Sequence, residues 1–117
     1  MDNLARFADI AAELPESLRV DIEAWDGQPT FRVRGKNFLF TDQEGTRATV
    51  KLPPEEAAAV VALGGATPAG YGLGKHGWVS TEVDADADDG RWAELREMIR
   101  TSYRMVAPKR LAREVED

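Results

Sequence analysis

The stretch Gly72-Leu73-Gly74-Lys75-His76-Gly77 matches the spacing G-x-G-x-x-G letter for letter. In a dinucleotide site such glycines follow a strand and open a helix, so that the helix N-terminus meets the pyrophosphate. Here Trp78-Val79-Ser80-Thr81-Glu82-Val83 follows and reads as strand. The glycines therefore predict a loop between two strands. Neither Gly35-Lys36 nor Gly74-Lys75 has the hydroxyl residue and upstream glycine of a P-loop. Asp84, Asp86, Asp88 and Asp89 begin like a calcium loop, but Asp89 stands where that loop needs glycine and Leu95 where it needs glutamate. His76 is the only histidine, and no spacing rule links Ser80 or Ser102 to it as a nucleophile. Cysteine is absent, which removes disulfides, thiolate nucleophiles, cysteine zinc sites and iron–sulfur clusters together. These residues predict no catalytic group, no cofactor and no metal, and hence a protein that is not an enzyme.

The chemistry that survives is electrostatic. The chain has 117 residues and a formal charge of −6, with 15 basic and 21 acidic side chains. An acidic bulk is unusual for a nucleic-acid binder, whose footprint is basic surface. The charge is uneven, however: residues 1–29 carry −5, 30–52 carry +3, 53–90 carry −6 and 91–117 carry +2. Arg32, Arg34, Lys36, Arg47 and Lys51 supply the first basic stretch. Arg96, Arg100 and Arg104 recur every four residues and read as one solvated helix face.

Elements that would position these charges follow from periodicity. Leu4, Phe7, Ala8, Ala11 and Leu14 have helical spacing, with Asp2 or Asn3 as cap and Pro15 as stop. Leu18–Ile22 alternates weakly, as a short strand or an irregular approach. Thr30–Arg34, Asn37–Thr41 and Thr46–Leu52 alternate as strands, joined by turns at Gly35-Lys36 and at Asp42-Gln43-Glu44-Gly45. Pro53-Pro54-Glu55-Glu56 opens a helix that Gly64-Gly65 ends. Thr67–Tyr71 and Trp78–Val83 are two further strands. An acidic linker, Asp84–Gly90, leads to a last helix capped by Asp88 or Asp89 and running to about Val106, with Pro108 as its end. The charged tail at 109–117 is expected to fray. Helix, three strands, helix, two strands, helix describes a single α+β domain over 1–117, with a mainly antiparallel sheet and helices packed on one face.

Strand parity then places the charges. Phe31 and Val33 share one face with Ala48, Val50 and Leu52, and Arg32, Arg34, Arg47 and Lys51 take the other. The first set should meet the helices. The second should lie together on an open sheet face, with Glu82 as a neutralising cross-strand neighbour. Trp78 either packs in the core or, by its parity with Ser80 and Glu82, sits on that face; a buried or edge-packed ring is the default for such a residue.

The chain resembles the MmcQ/YjbR family of small bacterial proteins. The residues carrying the resemblance are Phe31-Arg32-Val33-Arg34-Gly35-Lys36-Asn37-Phe38, Val50-Lys51-Leu52, His76-Gly77-Trp78-Val79 and Ser102-Tyr103-Arg104-Met105-Val106-Ala107-Pro108-Lys109. The shared positions are Lys36, Lys51, Trp78, Tyr103 and Lys109. The resemblance implies an α+β fold of the secretion-chaperone-like type. It also implies DNA binding through a double-wing arrangement of strands. The acidic run at 84–89 and the net charge depart from that expectation.

Two readings of the site follow. One is a cytoplasmic, non-enzymatic module that binds DNA weakly through Arg32, Arg34, Lys36, Arg47, Lys51 and Lys75, with His76 on phosphate and Trp78 available to stack on a base. The other is a protein- or peptide-binding module using the same sheet, with Leu39 and Trp78 exposed among mixed charge. An apolar centre on the open face would favour the second, and a continuous positive patch the first. There is no apolar run long enough to cross a membrane, and Met1-Asp2-Asn3-Leu4 lacks the basic start of a signal peptide. A membrane partner is therefore not expected, and the oligomeric state is open.

Overall fold

The structure, a computed structural model, describes residues 2–70 and 72–115. Helix α1 (Asn3–Ala12) is capped by the Asp2 carboxylate, which accepts from Ala5 N–H at 2.8 Å. Strand β1 (Ser17–Ile22) leads through a 3-10 turn (Glu23–Trp25) into β2 (Gln28–Val33), β3 (Lys36–Thr41) and β4 (Arg47–Lys51). Helix α2 (Pro54–Ala62), the short β5 (Thr67–Pro68), a second 3-10 turn (Leu73–His76) and β6 (Trp78–Glu82) follow. Helix α3 (Asp89–Val106) and a short α4 (Lys109–Glu114) complete the fold. The six strands form one antiparallel sheet in the order β1-β2-β3-β4-β6-β5.

The core lies between one face of this sheet and α1 and α3. Phe7 and Ile10 from α1 and Leu95, Ile99 and Tyr103 from α3 meet Phe31, Val33, Leu39, Val50 and Val79. Helix α3 can cover so much of the sheet because Trp92, Leu95, Ile99, Ser102 and Tyr103 recur at three- and four-residue steps along one stripe. Phe38 and Tyr103 pack edge-to-face with ring centroids 5.3 Å apart, and the Tyr103 hydroxyl donates to the Pro15 carbonyl at 2.6 Å. Burial pushes the Tyr103 phenol above its ordinary range, and the Glu114 and Glu16 carboxylates add to the shift.

The β2–β3 connection is a two-residue hairpin. Val33 pairs with Lys36, and Arg34 and Gly35 between them have φ of 51° and 81°. That geometry matches the twist of the two strands. The register then shifts between Phe31 and Arg32, so Phe38 is an extra residue bulged into the core. Strands β3 and β4 pair only at Phe40–Thr49 and Thr41–Ala48. Extending that register would bring Phe38 opposite Lys51. There the Ser102 hydroxyl of α3 stands between the strands, accepting from Lys51 N–H at 2.8 Å and donating to the Phe38 carbonyl at 2.6 Å. It replaces the missing ladder bond in a fully buried position.

Several sequence expectations need correction. Of the two alternatives for the segment at 18–22 the strand holds, as the full edge strand β1, so three strands and not two precede β4. The hairpin turn is Arg34-Gly35, and Lys36 begins β3. The tail is ordered through residue 115: α4 buries Leu111 and Val115 against the core. Leu39 is fully buried on the helix-covered face, not exposed on the open one, because the β3 bulge lets both Phe38 and Leu39 reach the core. Arg96, Arg100 and Arg104 are not merely solvated. Arg96 pairs with Glu13, and Arg100 and Arg104 donate to the Val115 carbonyl, which ties α4 down. The expected strand end at Tyr71 and the tail residues 116–117 lie outside the described residues.

Candidate nucleic-acid interface

The open face of the sheet is laid out by its register. Its middle row runs Val20, Thr30, Phe40, Thr49, Ser80 and Thr67 across the six strands. Thr49 and Ser80 hydroxyls bond to each other at 2.7 Å. One flanking row holds Leu18, Arg32, Asn37, Lys51 and Trp78, and the other holds Ile22, Gln28, Arg47 and Glu82.

Trp78 lies on this face, as its parity with Ser80 predicts, but it is only 9% exposed. It packs edge-to-face on Phe40 at 5.4 Å and stands opposite Lys51 in register. The indole is thus a packing element beneath the surface, and it offers no free ring for a base. Gly77 places it. Gly77 has φ of 91°, its carbonyl accepts from Leu52 N–H at 2.9 Å, and a Cβ there would sit 2.3 Å from the Leu52 carbonyl oxygen.

The charges divide by strand end more than by face. Strand β2 finishes, β3 starts, β4 finishes and β6 starts at the same end of the sheet. Arg32, Arg34, Lys36, Lys51, Lys75 and His76 gather there, the last two in the 3-10 turn that leads into β6. Lys36, Lys75 and His76 are exposed, and Arg32 and Lys51 are half-buried. Lys36 is opposite Val33, a core-face residue, so it projects at the sheet end and not from the open face. Arg47 sits at the opposite end of β4, with Glu82 across from it. That far end is acidic: Glu23 and Asp26, Asp42 and Glu44, and then Asp84, Asp86 and Asp88 occupy its turns.

Arg34 is at the basic end but committed. Its Nε and Nη2 donate to both Glu16 oxygens, at 2.5 and 3.0 Å. The Arg34 bond holds the Glu16 carboxyl below its ordinary range and raises the guanidinium in turn. Arg34 is therefore not a fourth residue of the open-face set with Arg32, Arg47 and Lys51. Its left-handed φ puts it in the turn, where parity no longer applies. Arg110 of α4 reaches the same carboxylate at 3.9 Å. Glu55 and Glu56, in the first turn of α2, are further carboxylates near this end.

Of the eight expected site residues, the fold therefore gathers Arg32, Lys36, Lys51, Lys75 and His76, pairs Arg34 with Glu16, separates Arg47 and buries Trp78. The residue that sequence reasoning passed over is Ser102, which fixes the backbone of Lys51. Its signal was the helical step from Ile99 to Tyr103, which puts Ser102 on the buried stripe. Among the described residues, no group of three or more His, Asp or Glu is placed to hold a metal ion, and no helix is long and apolar enough to cross a membrane. A shallow groove of about 410 Å³ runs between α1 and α3, remote from this basic end. Arg6 and Arg96 offset Asp9 and Asp89 in its lining, and Arg6 stacks over Trp92 at 5.1 Å.

Comparison with known proteins bears on the family and the fold. The model of a family described as YjbR matches residues 13–105. The crystal structure of a Deinococcus radiodurans protein with a DUF419 domain has the same fold, with a TM-score of 0.73 and 24% sequence identity. The match covers 98% of this chain and 88% of that one. None of the curated proteins matches the sequence.

Proposed function

The chain belongs to the YjbR family, and we propose that it is a small, non-enzymatic cytoplasmic module that binds double-stranded DNA weakly through the basic end of its sheet. The observation that carries this reading is the segregation of charge along the strand axis. Lys36, Lys51 and Lys75 present ammonium groups at one end, with Arg32 and His76 beside them, while the turns at the other end are acidic. Such a dipolar body approaches a polyanion end-on, which is how an acidic protein still finds phosphates. The contacts are to phosphate and carry little sequence information. The two longest helices, α1 and α3, are spent on the core, so neither is free for the major groove.

Three or four phosphate contacts predict a slope of log K against log salt of roughly −3 to −4, and a Kd on the order of 10⁻⁴–10⁻⁶ M near physiological salt. Fluorescence anisotropy of a labelled duplex, titrated from low salt upward, tests this. Saturable binding with that salt dependence supports the reading, and no binding at low salt removes it.

A second reading has its own observation. Val20 and Phe40 occupy the middle row of the open face, and Leu18 beside them is 63% exposed. An apolar centre of this kind suits a polypeptide partner.

A further inference from the structure

The two edges of the sheet are built differently. Strand β5 is two residues long and ends in Pro68, so it offers almost no backbone to a neighbour. Strand β1 is six residues long, with no proline, glycine or lysine, and no bulge in its pairing with β2. Its sequence is Ser17-Leu18-Arg19-Val20-Asp21-Ile22.

The register fixes which of its backbone groups are free. Pro29 stands opposite Asp21 and has no N–H, so that pair exchanges no bonds. The bonded pairs are the alternate ones, Leu18–Arg32, Val20–Thr30 and Ile22–Gln28. Two hydrogen bonds agree: the Val20 carbonyl accepts from the Thr30 hydroxyl at 2.7 Å, and the Ile22 carbonyl from Gly27 N–H at 2.9 Å. Arg19 and Asp21 therefore turn their N–H and C=O groups outward to the open edge.

We propose that β1 pairs antiparallel with β1 of a second copy of this chain, about a two-fold axis through Val20, to form a homodimer with one continuous sheet. In that register Arg19 faces Asp21 of the second copy, and Asp21 faces its Arg19, with four outward backbone bonds made. Both are outward-facing residues, as a bonded antiparallel pair requires. The neighbouring registers that keep this parity set Arg19 on Arg19 or Asp21 on Asp21, which like charge disfavours. On the open face Leu18 meets Ile22 of the second copy and Val20 meets Val20. The exposed Leu18 side chain thereby gains an apolar neighbour. Arg19 and Asp21 already bond to each other within one chain at 2.9 Å, each nearly half exposed, so pairing joins two ion pairs into a network of four charges.

The test is sedimentation of the full-length protein with two charge reversals, Arg19→Asp and Asp21→Arg. The wild-type chain should dimerise in the micromolar range. Each single variant should weaken the dimer by about tenfold or more, since two like-charge pairs replace two opposite ones. An equimolar mixture of the two variants should recover it as a heterodimer, because complementary charges then face each other again. A wild-type chain monomeric at about 100 μM overturns the proposal, as do single variants that dimerise undiminished or a mixture that fails to recover. If a variant does not fold, hydrogen exchange of the wild type decides. The Arg19 and Asp21 amides gain protection with concentration if the edge pairs, and exchange rapidly at every concentration if it does not.

Discussion

At the scale of single residues, the decisive distinction is between a charge that is present and a charge that is available. Arg34 and Lys36 are neighbours of the same sign, two residues apart in one hairpin. Arg34 donates from Nε and Nη2 to both oxygens of Glu16, whereas Lys36 is exposed and makes no ion pair among the described residues. Glu16→Gln separates the two effects. It should free Arg34 and raise DNA affinity a few-fold at low salt, as one added phosphate contact would. It should also lower stability at neutral pH. The sign follows from the Glu16 carboxyl, which Arg34 holds below its ordinary value of 4.5. Its stabilisation is complete above that value and is lost as pH falls through the lowered folded-state value. Thermal melts of wild type and variant should therefore differ at pH 7 and converge in strong acid. A gap that widens on acidification would contradict the pairing.

At the scale of elements, two small residues set the geometry of the basic end. Ser102→Ala leaves Lys51 N–H and the Phe38 carbonyl without their partner in a dry position, and should destabilise by about 2–4 kcal/mol in chemical denaturation. An unchanged midpoint would mean that the strands close the gap themselves. Gly77→Ala forces a Cβ against the Leu52 carbonyl at a φ that favours glycine, and should destabilise by more than about 2 kcal/mol in the same assay. These elements were partly legible beforehand. The long last helix, with its cap at Asp88 or Asp89, and the parity of β4 and β6 came directly from spacing, because long periodic segments and local caps are encoded locally. The β3 bulge was not legible. Phe38 and Leu39 are adjacent and both apolar, and alternation gives only one of them to the core. The β1 strand and the docking of α4 were also underread, since Ile22 and Leu111 owe their state to tertiary neighbours and not to local pattern.

At the scale of the whole molecule, an overall charge of −6 conceals a separation of charge along the strands. The sequence contained both halves of it, in the basic stretch at 30–52 and the acidic run at 84–89. It did not say that Arg47 and Lys51, four residues apart on one strand, would point to opposite ends of that separation. Strand direction decides this, and direction depends on which strands become neighbours. The assignment of the site to the sheet end, and not to the whole open face, rests on that topology.

The most direct test compares Lys36→Glu/Lys51→Glu with Arg47→Glu for binding a labelled duplex by anisotropy at low salt. Net charge changes by −4 in the first variant and −2 in the second, so Lys36→Glu alone (−2) is set beside Arg47→Glu (−2) to hold bulk charge equal. The Lys36/Lys51 variant should bind at least about tenfold more weakly, while Arg47→Glu should stay within about twofold of wild type. Equal losses in the two, or none in either, would contradict a DNA site at the basic end of the sheet.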